Sequence, residues 1–177
     1  MLIDTRPYTP AIRPSASSPI THQDALIVTF QIEHQRYGLA LEVVREIVRL
    51  PALIMLAGAP PALCGLLNLR GQHLPVLDGR VLVGECRQYD LSSQIVIAGR
   101  AQPELGLLVD QVYEVCAVAA DRITPINRTD VAPFLTNVFV LADVSVLLFD
   151  LTKLVALTSD TAKRKSKHES QRREPRV

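Results

Sequence analysis

The chain has 177 residues, which is enough for one domain with a substantial core. Its formal net charge of +1 is uneven, because residues 158–177 carry seven Lys or Arg against three Asp or Glu and the body is mildly acidic. Hydrophobic residues make up 48% of the sequence in short runs, and Cys64, Cys86 and Cys116 share no CxxC spacing, so neither a membrane-spanning helix nor a disulfide framework is expected.

The two ends of the chain lack a hydrophobic period. Residues 1–24 are rich in proline and serine and carry neither the basic start nor the apolar stretch of a secretory signal. Residues 158–177 are polar and charged. We therefore predict two disordered tails that flank a folded domain at residues 25–157.

Short apolar segments bounded by polar turns predict strands, as in barrels and sandwiches. They cover residues 27–32, 37–41, 95–98, 105–109, 138–141 and 144–148. Residues 41–50 fit both the spacing of a helix and the alternation of a strand, so periodicity does not decide their structure. Asp150 is predicted to be the N-cap of a short terminal helix that buries Leu151, Leu154 and Val155.

The run 65–78 predicts a central β-hairpin. Glycine at the first central position favours a type II′ turn over Gly71-Gln72, since φ is positive there. This register pairs Leu69 with Leu74 and separates two groups of side chains onto opposite faces. One face holds Leu67, Leu69, Leu74 and Val76, and the other holds Asn68, Arg70, His73 and Pro75.

A shift of 68 residues reproduces the pattern of the first half of the chain. It places Ile27 on Ile95, Gly38 on Gly106, Val44 on Val112 and Glu46 on Glu114. One constant offset that matches several positions predicts two copies of one β-unit. We therefore expect the central hairpin in the first half and residues 105–115 in the second.

Nothing in the sequence predicts catalysis. The four histidines are scattered, and no His, Cys or Asp cluster has metal-ligand spacing. The chain lacks a Walker-type loop and a GxGxxG motif. We therefore expect a binding protein with no catalytic residue, no metal and no cofactor.

Three motifs follow one another along the chain. The first is Gly-x-x-Asn-Leu-Arg-Gly-x-x-x-Pro-Val-x-Asp over residues 65–78. Before it stands Arg-Tyr-Gly-Leu at 36–39 with Val-x-Glu-Ile at 44–47, and after it stands Gly-Leu-Leu-Val-Asp at 106–110 with Val112. In this order and at these separations the motifs resemble CheW-like domains, the coupling proteins of bacterial chemosensory arrays.

The resemblance implies a mainly β fold of two small SH3-like, five-stranded β-barrels that share a core, with short helical turns and a short C-terminal helix. It also implies a non-catalytic adaptor that joins the cytoplasmic tip of chemoreceptors to the regulatory domain of a CheA-type histidine kinase. Such a protein acts in the cytoplasm, associated with membrane-anchored receptor arrays, without binding nucleic acid or inserting into the membrane.

The same resemblance implies a partner-binding surface. Its residues are Val44, Glu46, Gly65, Asn68, Arg70 and Val112. The family pattern places Glu46 opposite Arg70, so that the carboxylate orients the guanidinium toward partners. Val44 and Val112 are expected to line the groove that receives the receptor tip.

The chain departs from the family pattern directly after the hairpin. Residues 78–80 are Asp-Gly-Arg, where Asp-Leu-Arg is usual. We expect Gly79 to lose the packing of the leucine and to add flexibility after the strand.

A small β-barrel that binds nucleic acid with the help of its basic tail is the alternative function. Such modules use a basic groove and exposed aromatic side chains for stacking. The mildly acidic body and the aromatic content of 5% argue against this alternative. A redox enzyme built on the cysteines has still weaker support.

Overall fold

The computed structural model describes residues 24–86, 89–90, 92–127 and 132–158, and the predicted tails lie almost wholly outside these residues. The described chain is mainly β, which confirms the predicted fold class. Its strands are β1 (Asp24–Ile32), β2 (Gln35–Ala40), β3 (Val44–Arg49), β4 (Leu63–Leu69), β5 (Gln72–Asp78), β6 (Gln94–Ala98), β7 (Leu105–Val109), β8 (Gln111–Ala119), β9 (Thr124–Pro125), β10 (Leu135–Leu141) and β11 (Val144–Phe149). Short helices α1 (Gly79–Leu82) and α2 (residues 151–158) follow β5 and β11.

Two sheets organise these strands. Sheet A has the order β8-β1-β2-β11-β10-β9, and sheet B has the order β3-β6-β7-β5-β4. Neighbouring strands are antiparallel except for the parallel pairs β2–β11 and β5–β7. A 3₁₀ turn at Leu41–Val43 leads into β3, so the ambiguous segment 41–50 is a brief turn followed by a strand.

The two halves of the chain exchange strands between the sheets. Sheet A combines β1 and β2 with β8 to β11, whereas sheet B combines β3 to β5 with β6 and β7. The prediction that residues 105–115 lie together in the second half is therefore wrong, because β7 joins the central hairpin in sheet B and β8 lies in sheet A. An isolated two-stranded hairpin is only marginally stable, so it pairs with further strands that complete a sheet. The hydrophobic pattern does not specify which strands these are.

The internal repeat appears as equivalent strands. β1, β2 and β3 correspond to β6, β7 and β8 at the offset of 68 residues. From β4 onward the offset is 72, because β4, β5 and α1 begin at 63, 72 and 79 and their counterparts begin at 135, 144 and 151. The second copy thus has four additional residues between β8 and β10.

The largest core cluster lies between the two sheets and is shared by them. Val28, Phe30 and Leu39 enter it from sheet A, and Val96 and Leu107 enter it from sheet B. The rings of Phe30, Tyr37 and Phe134 surround Phe149 with centroid distances of 6.0, 5.3 and 5.7 Å. Each sheet also encloses a smaller apolar cluster of its own.

An ion-pair cluster joins the two sheets at one side of this core. Arg80 on α1 donates from Nε to Asp110 Oδ1 at 2.7 Å and from Nη1 to the carboxylate of Glu33. Asp110 also accepts the backbone N–H of Glu33 at 2.6 Å. The hydrogen bond between Arg80 and Asp110, together with the charge of Asp110, raises the pKa of Arg80. Because these groups come from three separate connections, the cluster fixes the position of α1 against both sheets.

The position of α1 explains the departure at Gly79. A Cβ at Gly79 would lie 2.4 Å from the carbonyl oxygen of Leu108 and 2.8 Å from Cδ1 of Ile32. Gly79 is buried, and Asp78 caps the helix by accepting from the N–H of Val81 at 3.1 Å. The expected flexibility at Gly79 is therefore wrong, since the missing side chain allows close packing.

The terminal helix α2 begins as predicted. Asp150 Oδ1 accepts the backbone N–H groups of Thr152 at 2.8 Å and of Lys153 at 3.3 Å. Leu151 and Leu154 are buried in the shared core. Among the described residues, no helix has the length and apolar character needed to cross a membrane.

Candidate functional site

The central hairpin has a different register from the predicted one. Leu69 pairs with Gln72 and Leu67 with Leu74, so the turn is Arg70-Gly71 and the predicted Gly71-Gln72 turn is wrong. φ is 52° at Arg70 and 88° at Gly71. Two central residues with positive φ are typical of a type I′ turn, whose twist matches that of the flanking strands.

The polar residue before this turn stabilises it. Asn68 Oδ1 accepts the backbone N–H of Gly71 at 2.9 Å. Because the register differs from the prediction by two residues, the faces of the hairpin are unchanged. Leu67, Leu74 and Val76 are buried as expected. Arg70 consequently lies at the tip of the hairpin and not on a strand.

Glu46 and Arg70 form the predicted pair. Nη2 of Arg70 lies 3.1 Å from Oε2 of Glu46. The carboxylate side chain is only 15% exposed, whereas the arginine side chain is 78% exposed. Glu46 therefore orients the guanidinium of Arg70 through this contact, and most of the five N–H donors of the guanidinium face solvent.

The strand that carries Glu46 is bulged at this point. Val44 pairs with Ala98 and Glu46 pairs with Ile97, which leaves Arg45 as the extra residue. Arg45 Nε donates to the carbonyl oxygen of Gly99 at 2.9 Å. Bulges redirect side chains, and this one directs Glu46 on the edge strand β3 toward the hairpin on the opposite edge of sheet B.

Gly65 shapes the same region through its backbone. Its φ is 153°, and a Cβ there would lie 2.6 Å from the carbonyl oxygen of Ile54. Ile54 exchanges two backbone hydrogen bonds with Leu66 at 2.9 Å, so the segment crosses close to β4. Gly65 is buried and has no side chain. It is therefore not placed to contact a partner directly, in contrast to the prediction.

Two exposed side chains in this segment were missed by sequence reasoning. Ile54 is 48% exposed and Met55 is 70% exposed. They belong to an apolar run at residues 52–57 that has the composition of a core segment. Only the crossing over Gly65, which turns them outward, distinguishes them from core residues.

The two valines expected in the receptor groove are not equally accessible. Val112 is 2% exposed in the shared core, and its N–H donates to Gln94 Oε1 at 2.6 Å. Val44 is half-buried against the same core. The expectation that Val112 lines an open groove is wrong for this structure, because its pairing opposite Phe30 turns it inward.

The described residues form no metal-binding cluster, and two of the three cysteines are buried. In residues 24–86, 89–90, 92–127 and 132–158, no group of three His, Cys, Asp or Glu could hold a metal ion. Burial raises the pKa of the Cys116 thiol to about 11, and Cys64 is buried with its sulfur 3.8 Å from the Tyr89 hydroxyl. A neutral, buried thiol is a poor nucleophile.

The CheW-like domain model matches residues 26–159 of the chain. The chemotaxis protein CheW of Klebsiella aerogenes is 28% identical over 131 residues, covering 72% of this chain and 79% of the relative. CheW of Rhizobium meliloti is 27% identical over 112 residues, covering 63% and 72%. The crystal structure of the scaffolding protein TtCheW from Thermoanaerobacter tengcongensis matches with a TM-score of 0.67 and 28% identity, over 72% of this chain and 90% of that one.

Proposed function

The chain belongs to the CheW-like domain family, and we propose that it is a non-catalytic chemotaxis adaptor that couples chemoreceptors to a CheA-type histidine kinase. One observation carries the site assignment, namely the Glu46–Arg70 pair at the tip of the central hairpin. A guanidinium that is already oriented loses little conformational freedom on binding, which favours affinity. Arg70, Glu46 and Asn68 form the proposed partner surface, with Val44 at its half-buried margin.

The proposed partners are the regulatory domain of the kinase and the cytoplasmic tip of the receptors. An adaptor of this kind works in the cytoplasm beside membrane-anchored receptor arrays. The basic residues 158–177 would add attraction to an anionic membrane leaflet without insertion.

The nucleic-acid alternative is not favoured. Binding of single strands requires aromatic rings that are free to stack on bases. The four phenylalanines Phe30, Phe134, Phe139 and Phe149 are all buried. The basic charge that motivated this alternative lies in the C-terminal tail and not on the folded domain.

A double-mutant cycle tests the proposed site. Binding of the full chain to a purified kinase regulatory domain and to a receptor cytoplasmic fragment is measured by calorimetric titration. Arg70→Ala should weaken binding to at least one of them about 10-fold, Glu46→Ala should have a similar effect, and the double mutant should be little worse. Asp121→Ala, on an exposed 3₁₀ turn of the other sheet, is the control. Unchanged binding of Arg70→Ala to both partners would contradict the site, and no binding of the unmodified chain would contradict the function.

A further inference from the structure

The segment between β3 and β4 presents a methionine to solvent. Met55 is 70% exposed, and its neighbour Ile54 is 48% exposed. The backbone holds both residues at the surface, because Ile54 exchanges two hydrogen bonds with Leu66 on β4 at 2.9 Å. The carbonyl oxygen of Ile54 lies 2.6 Å from the place of a Cβ on Gly65, so the segment lies directly on the strand. Met55 can therefore move into the core only if this bridge is broken.

This exposure distinguishes Met55 from most other sulfur-containing residues of the described chain. Met55 is the single methionine in the part of the chain that the structure describes. Cys64 and Cys116 are buried, and burial raises the pKa of the Cys116 thiol to about 11. Cys86 is exposed, but the first oxidation products of a thiol are reversed by a thiol reagent, whereas a methionine sulfoxide needs a dedicated reductase. The two exposed sulfurs can therefore be told apart chemically.

The surroundings of Met55 leave it open to both an oxidant and a repair enzyme. Residues 50–59 form no strand or helix apart from the bridge at Ile54. Ala57 and Gly58 are exposed, and no heavy atom lies within 4 Å of the place of a Cβ on Gly58. Because a reductase has to reach the sulfoxide that it repairs, an open segment of this kind allows oxidation to be reversed.

Met55 also lies near the proposed partner surface. Its neighbour Ile54 forms a bridge to Leu66, and Asn68 and Arg70 follow along the same strand and its turn. The four residues from Leu66 to Arg70 span about 13 Å at about 3.3 Å per residue. An interface of about 800 Å² per partner extends about 16 Å from its centre. A partner centred on Arg70 would therefore also cover this segment.

We propose that Met55 is a reversible oxidation site that regulates binding at the partner surface around Arg70. In the modification step, the thioether sulfur attacks hydrogen peroxide. An S–O bond forms, the O–O bond breaks, the sulfur loses two electrons, and the second oxygen leaves as water. Reduction of the sulfoxide to the thioether consumes two thiols and releases a disulfide and water.

The sulfoxide changes the surface and leaves the fold intact. It replaces an apolar group by a polar one that has to be desolvated under a partner, so oxidation weakens binding. Met55 belongs to none of the three core clusters of the described residues, so the oxidised chain keeps its core contacts. This consequence for binding rests on the proposed function, whereas the modification itself does not.

Mass spectrometry of the full chain after treatment with hydrogen peroxide tests the modification. After dithiothreitol has reversed the oxidation of thiols, the proteolytic fragment with Met55 should retain one added oxygen, and a methionine sulfoxide reductase should remove it. The rate should approach that of a synthetic peptide with the sequence of residues 50–60, since susceptibility follows exposure. Protection of the folded chain by about 10-fold or more would overturn the proposal.

Calorimetric titration measures the consequence, with the partner whose binding Arg70→Ala weakens. The oxidised chain, and Met55→Gln without oxidant, should bind about 10-fold more weakly at an unchanged melting temperature. Met55→Leu is the matched control, which should bind normally before and after peroxide and dithiothreitol.

The outcomes separate this regulation from the proposed function. Unchanged binding of the oxidised chain and of Met55→Gln would overturn the regulation. An equal loss of binding in peroxide-treated Met55→Leu would overturn it in favour of a cysteine. No binding by the untreated chain would contradict the proposed function and the regulation together, whereas the mass of the fragment with Met55 decides the modification site by itself.

Discussion

The tips of the two equivalent hairpins have the same backbone and different chemistry. Arg70-Gly71 and Ala142-Asp143 both have two residues with positive φ, although only the first turn contains a glycine. The first tip presents an arginine held by Glu46, and the second leaves a cleft lined by Glu114. The comparison shows that the turn geometry belongs to the repeat, whereas the side chains at the tip differ between the two copies.

The connections to the two helices differ in the same way. On α1, Arg80 forms two ion pairs that are largely shielded from solvent. At the equivalent position of α2, Thr152 accepts one exposed hydrogen bond from Arg100 at 3.2 Å. One side of the junction between the sheets is therefore held by charge and the other mainly by apolar packing.

The largest expected effect comes from the charged side of the junction. Arg80→Met leaves the carboxylates of Glu33 and Asp110 without their shared cation and should lower the free energy of unfolding by about 3 kcal/mol. The counterpart Thr152→Ala should change it by less than about 0.5 kcal/mol. Urea denaturation of the full chain measures both. Equal losses would contradict the difference between the two sides.

Gly65→Ala should cause the next largest loss of stability. The added Cβ would lie 2.6 Å from the carbonyl oxygen of Ile54, and alanine would have to adopt a φ of 153°. We therefore expect the free energy of unfolding to fall by about 2 kcal/mol. The equivalent residue of the second copy is Asn137, and Asn137→Ala should cost less than about 1 kcal/mol. Thermal unfolding of the two variants compares them, and similar melting temperatures would refute the prediction.

The two turns should respond to opposite substitutions. Gly71→Ala places a Cβ at φ of 88° and should destabilise the protein by about 1 kcal/mol. At the first position of the second turn, Ala142→Gly removes the Cβ from a residue with a positive φ of 46° and should stabilise the protein by about 0.5 kcal/mol. Denaturant midpoints test the pair. A loss of stability in Ala142→Gly would show that the two turns are not equivalent.

Arg70→Ala should have the smallest effect on stability. Its side chain is 78% exposed, and an exposed ion pair contributes only about 0–1 kcal/mol. The melting temperature should therefore change little while partner binding falls. A large drop in melting temperature would mean that Arg70 closes sheet B and would weaken its assignment as a binding residue.

The strands and three of their hairpin pairs were predictable from sequence, but the register of the central hairpin and the way the strands combine into two sheets were not. Alternating apolar residues and polar turns located β10 and β11, and Asp150 marked the start of α2. The predicted register of the central hairpin was wrong because the preference of glycine for the first position of a type II′ turn selected Gly71-Gln72. In the structure Arg70 adopts a positive φ, and Asn68 Oδ1 accepts the backbone N–H of Gly71. That local compensation is invisible in the pattern of hydrophobic residues.

The candidate site was predicted in part. The family resemblance placed Glu46 opposite Arg70, and the structure brings them within 3.1 Å. It also suggested an accessible Val112, which is buried because β8 pairs with β1. Accessibility depends on strands that are distant in sequence, so a motif alone does not decide it.

The strand exchange bears on the order in which the protein can fold during synthesis. The β1–β2 hairpin leaves the ribosome before the other strands of this domain, yet its neighbour β11 ends only at Phe149. Sheet B has all its strands once β7 is made, whereas sheet A has to wait for almost the whole chain. Until then the apolar faces of β1 and β2 are incompletely covered, and early exposure of strand edges favours aggregation. We therefore expect the nascent chain to be the stage at which this protein depends most on chaperones.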